Sequence, residues 1–239
     1  MKLKTRFRNF VRILGYDIAK YDPESYPFAR RKDILDKFGI NVVLDVGANI
    51  GQYAKELRSI GFKGKIISFE PLSFAFKSLK ESAVTDGSWQ VQNCALGSIE
   101  GKAILNVSGN PASSSLLDML PSHIKSDPES QYVGQEEISV KRLDSIFTSL
   151  CHPQDRVYLK IDVQGFEKEV IKGAEHSLQA IAIVQLEMSL TPLYKDELLF
   201  SDMCQLLSQY GYFLIAIESG FQDKATGQLL QIDGIFRRA

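Results

Sequence analysis

One short stretch of this sequence combines an acid with two glycines. Asp45 lies inside the apolar run 42–46, Gly47 follows it, and Gly51 comes four residues later, where a helical pattern begins. This order predicts a buried strand, a tight turn and a helix start, the arrangement with which open α/β sheets hold a nucleotide at the ends of their strands. An acid at this position would repel a pyrophosphate but attract a cationic amine, such as the one that S-adenosylmethionine carries.

The spacing of the two glycines narrows the choice of ligand. They follow the pattern G-x-x-x-G, which differs from the G-x-G-x-x-G of dinucleotide-binding enzymes and from the G-x-x-x-x-G-K-[ST] of phosphate-binding loops. Gly47 would let the backbone turn sharply beside a ligand, and Gly51 would let the helix start close to it. The plain alternative is a strand-to-helix turn that binds nothing.

Two motifs resemble those of a known enzyme family. The turn D-x-G-x-x-x-G that begins at Asp45 resembles motif I of class I S-adenosylmethionine-dependent methyltransferases. The stretch 159–167, Leu-Lys-Ile-Asp-Val-Gln-Gly-Phe-Glu, and the pair Gly173-Ala174 resemble the signature of the FkbM family within that class. The resemblance runs from about Val42 to the C-terminus. It implies a Rossmann-like sheet, S-adenosylmethionine as cofactor, and acceptors such as sugars of surface polysaccharides or hydroxyls of secondary metabolites.

The expected cofactor site follows from these motifs and from the strand ends. We expect the carboxylate of Asp45 to pair with the ammonium of the cofactor, and Glu70, at the end of the second strand, to accept both ribose hydroxyls. Asn93 and Ala95 lie at the end of the third strand, where class I methyltransferases usually contact adenine. The residues expected to bind the cofactor are Asp45, Gly47, Ala48, Asn49, Gly51, Gln52, Glu70, Pro71, Asn93, Ala95 and Asp162.

Two acids at the ends of neighbouring strands could act on the acceptor. Asp162 follows the predicted strand 157–161, and Glu187 ends the predicted strand 180–187. Methyl transfer needs an oriented oxygen nucleophile, so Asp162 could be a base, a hydroxyl-orienting group or a cofactor contact. The alternative is that Asp162 caps the helix that follows. The two carboxylates could also hold a divalent metal ion, but no third ligand is evident, which favours a metal-free hydrogen-bond network.

Further polar candidates lie outside the strand ends. His123 is the one histidine considered as a base, and Ser113 and Ser114 belong to a triple serine that resembles a cluster common in the family. These serines could donate to a polar substrate or form a loop turn. Gln164 stands where the family signature usually has Glu, so the chain carries no carboxylate at that position.

The composition is typical of a soluble globular protein, with 44% hydrophobic and 24% charged residues. A net charge of −1 gives no whole-chain argument for nucleic acid, which is not expected as a partner. Cys94, Cys151 and Cys204 lie far apart without C-x-x-C spacing, which argues against a disulfide framework and a zinc site. They fit a reducing compartment, so we predict a cytoplasmic location. No apolar run reaches the length of a membrane span.

The segment 1–15 has a pattern of its own. Leu3, Phe7, Phe10 and Leu14 recur at helical spacing, with basic residues between them. This pattern is that of a basic amphipathic helix, which could rest on an anionic membrane surface or dock on a partner. A helix folded over the sheet, or a frayed terminus, is the favoured alternative.

The alternation of strand and helix patterns predicts one doubly wound α/β domain over 41–239, preceded by a helical extension, 1–40. The sheet is expected to be mostly parallel, with seven strands at 42–46, 65–70, 89–94, 157–161, 180–187, 212–218 and 229–236. Helices are expected at 28–38, 50–60, 72–83, 143–150, 167–176 and 196–210. An insertion around 101–141 should contain strands 101–107 and 138–141, joined by a long Ser-, Pro- and Asp-rich loop, which is typical of a binding loop.

These features predict an S-adenosylmethionine-dependent O-methyltransferase that acts on a hydroxyl of a sugar, a polysaccharide or a secondary metabolite. N-methylation is the main alternative. It is disfavoured because the stretch 161–164, Ile-Asp-Val-Gln, stands where amino-group methyltransferases often carry an N-P-P-Y-type motif. A non-catalytic scaffold that keeps the cofactor pocket is a second alternative. The oligomeric state does not follow from the sequence.

Overall fold

A computed structural model of the protein describes residues 2–18 and 20–239. The strands in chain order are β1 (Val42–Val46), β2 (Lys65–Phe69), β3 (Trp89–Gln92), β4 (Ala95–Leu96), β5 (Gly101–Ser108), β6 (Tyr132–Lys141), β7 (Val157–Ile161), β8 (Ile181–Ser189), β9 (Tyr212–Ser219) and β10 (Gln231–Arg238). The α-helices are α1 (Lys2–Ile13), α2 (Pro27–Lys37), α3 (Gln52–Ser59), α4 (Ser73–Ala83), α5 (Pro121–Ser126), α6 (Leu143–Leu150), α7 (Glu167–Lys172) and α8 (Phe200–Gln209).

The main sheet has seven strands in the order β3-β2-β1-β7-β8-β10-β9. β1 pairs in parallel with β2 and β7, whereas β10 is antiparallel to both β8 and β9. The prediction of a doubly wound, mostly parallel, seven-stranded sheet with a terminal hairpin is therefore confirmed. The strand order reverses between β1 and β7. In open α/β sheets, ligands bind in the crevice outside the carboxyl ends of the strands at such a switch point.

The central strands are apolar because both faces of the sheet are covered. Leu44 of β1 and Leu159 of β7 are paired neighbours and belong to the cluster on one face. Val43 and Tyr158, which point the other way, belong to a second cluster that also contains Ile34 of α2 and Leu57 of α3. This burial on both faces fixes β1 between its two parallel neighbours and aims its carboxyl end at the crevice.

The two strands of the insertion, β5 and β6, form a second, three-stranded sheet with β4, in the order β4-β6-β5. The strand predicted at 101–107 is present as β5, whereas the strand predicted at 138–141 is longer: β6 begins at Tyr132 and pairs antiparallel with β5. The early part of β6 is largely exposed, and its polar Gln-Glu-Glu run hides the strand pattern. α5 also lies in the stretch that was predicted to be a loop.

α7 ends at Lys172, before Gly173, rather than at residue 176. α3 and α8 begin later than predicted, each for an identifiable reason. α3 begins at Gln52 because Gly51 before it is left-handed, with φ of +87°. α8 begins at Phe200 rather than at residue 196, because the Glu197 carboxylate accepts hydrogen bonds from the backbone N–H groups of Leu193 and Tyr194 and so holds a turn.

The N-terminal extension contains α1 and α2. Ile34 and Leu35 of α2 are buried in the main domain, whereas Phe7 and Phe10 of α1 are exposed. In the described residues, no helix is both long and apolar enough to cross a membrane.

Candidate active site

A cavity with a volume of about 290 Å³ opens at the carboxyl ends of the central strands. It lies at the switch point between β1 and β7, and its size is at the lower end of the range for small-molecule sites. The insertion covers one side of it through Leu105, Pro111, Ala112, Ser114 and Leu116. The wall on the sheet side is formed by Gly47, Ala48, Asn49, Glu70, Pro71, Cys94, Ala95, Leu96, Asp162, Val163 and Gln164.

The turn after β1 is held close to the turn after β7. Gly47 has a φ of +78°, and a Cβ at this position would lie 1.8 Å from the backbone carbonyl oxygen of Asp162. The N–H groups of Gly47 and Ala48 both donate to the Phe69 carbonyl at 3.0 Å. Only glycine fits at position 47, because both the backbone angle and the contact exclude a side chain.

Gly51 and Asn49 shape the same turn. Both have positive φ, +87° and +48°. A Cβ on Gly51 would lie 2.7 Å from the ring of Trp89, so this glycine packs against β3 and does not line the cavity. Asn49 and Gln52 do line it. The tight backbone turn and the start of α3 beside it fit the methionine end of S-adenosylmethionine.

Asp45 lies behind the cavity wall. Its side chain is fully buried within β1, and Oδ2 accepts a hydrogen bond of 3.1 Å from Ser68 Oγ. Its other oxygen, Oδ1, has no hydrogen-bond partner among the described residues and lies 3.6 Å from Lys160 Nζ. Burial raises the pKa of Asp45, against the charge of Lys160. The Asp45 side chain therefore faces Lys160 and not the cavity, so its position does not support the expected direct contact with a cofactor ammonium.

Lys160 is the main residue that sequence analysis missed. It is buried in β7 directly opposite Asp45, and its Nζ lies 3.2 Å from Asp162 Oδ2. Burial alone would lower the pKa of Lys160, but the charges of Asp162 and Asp45 outweigh it and raise the pKa. A lysine inside an otherwise apolar strand was a visible signal, since Lys residues are almost never fully buried unless paired.

Glu70 reaches the cavity from the end of β2. Its Oε2 accepts from the Asn49 N–H at 2.7 Å, and its Oε1 accepts from the Leu72 N–H at 2.8 Å. Burial raises the pKa of Glu70 to about 7, although these two backbone donors act in the opposite direction. An ionised carboxylate has about four acceptor positions, so each oxygen keeps capacity for one further donor such as a ribose hydroxyl.

Some residues after β3 line the cavity, and others hold its wall in place. Asn93 does not line the cavity; its Nδ2 donates to the carbonyl oxygens of Glu70 and Pro71 at 2.9 and 3.0 Å. Cys94, Ala95 and Leu96 form the apolar part of the wall there. An adenine placed in this region would contact apolar side chains and backbone rather than the Asn93 amide.

Asp162 and Glu187 are brought together by an amide. Gln164 Nε2 donates to Asp162 Oδ1 at 2.8 Å and to Glu187 Oε2 at 2.7 Å. The Tyr194 hydroxyl donates to Gln164 Oε1 at 2.8 Å, and Gln231 Nε2 donates to Glu187 at 2.9 Å. Gln164 adopts a φ of +57°, uncommon for a residue with a side chain. Burial, followed by the charge of Asp162, raises the pKa of Glu187.

This arrangement does not fit a divalent metal ion. The amide hydrogens of Gln164 point at both carboxylates and occupy the place where a bridging cation would sit. A metal ligand there would need to present an oxygen lone pair. Among the described residues, no three or more His, Cys, Asp or Glu side chains are grouped so that they could hold a metal ion.

Of the candidate site residues in the insertion, only one lines the cavity. Ser114 lines the cavity, whereas Ser113 is buried and accepts from Ser130 Oγ at 2.9 Å. His123 is buried away from the cavity lining, with its ring 5.1 Å from that of Tyr194 and 5.4 Å from that of Phe221. Burial lowers its pKa. The structure therefore does not bring His123 to Asp162, and its role as a base lacks geometric support.

A polar lobe extends the cavity beneath α2 and α3. Arg31, Tyr53, Glu56, Gln185 and Asp233 line it together with Lys160. Gln185 organises its floor: Oε1 accepts from the Tyr53 and Tyr158 hydroxyls at 2.9 and 2.6 Å, and Nε2 donates to Asp233 Oδ1 at 3.0 Å. None of these residues was a sequence candidate, because their contacts join α2, α3, β8 and β10, which are distant in the chain.

Comparisons with known proteins show to which family the chain belongs. Residues 45–214 match the methyltransferase FkbM domain. The chain is 23% identical over 175 residues to the 2-O-methyltransferase NoeI of Sinorhizobium fredii, covering 71% of this chain and 72% of that protein. It is 27% identical over 150 residues to the hexuronic acid methyltransferase AglP of Haloferax volcanii, covering 62% of this chain and 56% of that protein.

Among solved structures, magnesium protoporphyrin IX methyltransferase (ChlM) from Synechocystis PCC 6803 with bound SAM is similar, with a TM-score of 0.49 and 10% identity. The match covers 91% of this chain and 80% of that one. The FkbM match spans most of the chain and contains both the β1 turn and the Asp162 region. The chain therefore belongs to the FkbM methyltransferase domain family and is an S-adenosylmethionine-dependent methyltransferase.

Proposed function

We propose that the protein methylates a hydroxyl group of a sugar, either free or within a glycan. The observation that carries this proposal is the Asp162 carboxylate, which stands on the cavity wall beside the Gly47 turn and is held by Lys160 and Gln164. The names of the two relatives, a 2-O-methyltransferase and a hexuronic acid methyltransferase, support acceptors of this class. A hydroxyl of another small molecule is the broader form of the same proposal.

The chain's own residues divide the cofactor site between them. When bound, S-adenosylmethionine supplies an electrophilic methyl group. The Gly47 turn offers close backbone approach, Glu70 offers its remaining acceptor positions to the ribose, and the apolar 94–96 wall receives the adenine. Asp45 contributes through Lys160: it balances the lysine charge from behind the wall, so that Lys160 holds Asp162 in place.

Asp162 has the geometry of a hydroxyl acceptor. Each of its oxygens receives one hydrogen bond from the protein, at 2.8 Å from Gln164 and 3.2 Å from Lys160. A free lone pair on either oxygen can accept the O–H of the substrate, which turns the oxygen lone pair of the hydroxyl toward the methyl group and gives the departing proton a destination. Glu187 accepts a hydrogen bond from the same Gln164 amide that donates to Asp162, and so supports Asp162 from behind.

The test is methyl transfer to a panel of mono- and oligosaccharides, followed by product analysis. We expect products in which the new methyl group is bonded to oxygen, and a loss of about 10²–10⁴ in kcat/KM for Asp162→Asn. Asp202→Asn, a change at an exposed position on α8, is the matched control and should leave the rate unchanged. Methylation at nitrogen, transfer by Asp162→Asn at the wild-type rate, or cofactor binding without turnover on any acceptor would contradict the proposal.

A further inference from the structure

α1 leaves a contiguous apolar face uncovered. Phe7, Phe10 and Leu14 recur at spacings of three and four residues, so they lie on one side of the helix and its last turn. Their exposed fractions are 61%, 59% and 60%, and Ile13 and Tyr16 beside them are also exposed. Single exposed apolar residues are ordinary, but a contiguous set marks an interaction surface.

The charged residues of α1 all have the same sign. All five charged residues of α1 are basic, namely Lys2, Lys4, Arg6, Arg8 and Arg12. Outside the segment 2–17 the chain carries 23 basic and 28 acidic residues, so α1 has a net positive charge and the remainder of the chain a net negative one. An apolar face flanked by basic side chains is the pattern of helices that lie in the boundary between lipid headgroups and acyl chains.

The polar side of α1 forms ion pairs with the segment that follows the helix. Asp17 pairs with Arg8 at 2.7 Å and with Arg12 at 3.0 Å. By their spacing, these two arginines lie on the side of the helix away from Phe10 and Leu14. The acid thus folds the chain over the polar side, and the Phe7, Phe10 and Leu14 face remains open.

We propose that α1 docks the enzyme on an anionic lipid surface, with Phe7, Phe10 and Leu14 inserted among the headgroups and the basic residues against the lipid phosphates. The charge distribution favours a membrane over an apolar groove of another protein, because the acidic remainder of the chain is repelled by the same surface and α1 is drawn to it. Docking in this orientation makes α1 the membrane-facing side of the enzyme. The proposal concerns where the enzyme works and does not depend on the identity of its acceptor.

The test is co-sedimentation of the full chain with vesicles of phosphatidylcholine alone and of phosphatidylcholine mixed with phosphatidylserine. We expect binding to the mixed vesicles only, weakened by added salt. Phe7→Glu/Phe10→Glu should lower the partition coefficient by ~100-fold or more, because it removes two aromatic side chains that the membrane would bury and adds repulsion from the lipid phosphates. The matched control Ile99→Glu/Val133→Glu adds the same charges at positions that are 79% and 72% exposed, and should bind as the wild type does.

Three results would overturn the proposal. The first is a wild type that does not sediment with the anionic vesicles. The second is an equal loss of binding in the two double variants. The third is a dimer in solution that is held by Phe7 and Phe10 and binds no vesicles. Light scattering on the same samples distinguishes the last case. Circular dichroism and S-adenosylhomocysteine binding, measured on each variant, show that the methyltransferase domain is intact.

Discussion

Asp162 and Glu187 share one hydrogen-bond donor, the Gln164 side-chain amide, at 2.8 and 2.7 Å. Two carboxylates that each lie within hydrogen-bond distance of one common atom would repel each other, and the neutral amide between them relieves that repulsion by donating to both. The Tyr194 hydroxyl fixes the orientation of the amide, since it donates to the amide oxygen and leaves the nitrogen for the acids. Gln164 therefore acts as a positioning residue for Asp162.

Replacing this amide tests the arrangement. Gln164→Glu would put a third carboxyl group between the two acids, remove both donated hydrogen bonds and lower the free energy of unfolding by roughly 2–4 kcal/mol near neutral pH. The deficit should shrink as pH falls, because a protonated Glu at position 164 can again donate one hydrogen bond. Urea unfolding at several pH values measures this. A deficit that is absent, or that grows toward acid, would contradict the role given to Gln164.

Lys160 should be coupled to Asp45. Lys160→Met leaves the fully buried Asp45 without its counter-charge, so we expect a loss of about 3–5 kcal/mol in the free energy of unfolding. The double variant Asp45→Asn/Lys160→Met should lose much less than the sum of the two single variants, because it removes both charges. The control Lys32→Met breaks an exposed pair with Asp36 and should change stability by less than about 0.5 kcal/mol. Additive effects at positions 45 and 160 would show that the pair is not energetically linked.

Glu70 should make the ligand-free protein less stable as pH rises. Burial raises its pKa from an ordinary value of 4.5 to about 7. Between these values the folded protein binds a proton that the unfolded chain does not, so this group stabilises the fold at low pH and the contribution is lost as pH rises through about 7. Between about pH 5 and pH 8 the free energy of unfolding should fall by roughly 2–3 kcal/mol less in Glu70→Gln than in the wild type, because the variant has no group that titrates at this position. Parallel pH profiles of the two proteins would contradict the shifted pKa.

The strand and turn pattern of the central sheet could be predicted closely, and the reasons are local. β1 has the predicted bounds, Val42–Val46, because its apolar run is buried on both faces. The strand ends where Gly47 takes the positive φ that the following turn requires. β6 was predicted six residues too short, since its exposed first half carries polar residues that give no alternating pattern.

The site could be predicted only in part, because its chemistry depends on pairing between distant strands. The role of Lys160 depends on the strand register that places it opposite Asp45, and no local sequence pattern reveals that register. His123 was chosen for its residue type, yet it packs between Tyr194 and Phe221. Residue type alone does not tell a buried aromatic contact from a catalytic group.

Gly47 offers a way to test the cavity without changing any charge. Gly47→Ala adds a methyl group that would meet the Asp162 carbonyl at 1.8 Å. Gly61→Ala is the matched control: Gly61 also has positive φ, +90°, but a Cβ there would meet nothing within 4 Å. The control should lose about 1–2 kcal/mol from backbone strain alone, and Gly47→Ala should lose more. Equal losses would show that the two turns are not pressed together.

The central claim is that the crevice between the β1 and β7 turns binds S-adenosylmethionine, and calorimetric titration tests it most directly. S-adenosylmethionine and S-adenosylhomocysteine would be titrated into the wild type, Gly47→Ala and Gly61→Ala, each first shown to be folded by circular dichroism. We predict binding of both ligands to the wild type and to Gly61→Ala, and none to Gly47→Ala. Wild-type affinity in folded Gly47→Ala, or no binding to the folded wild type, would contradict the account.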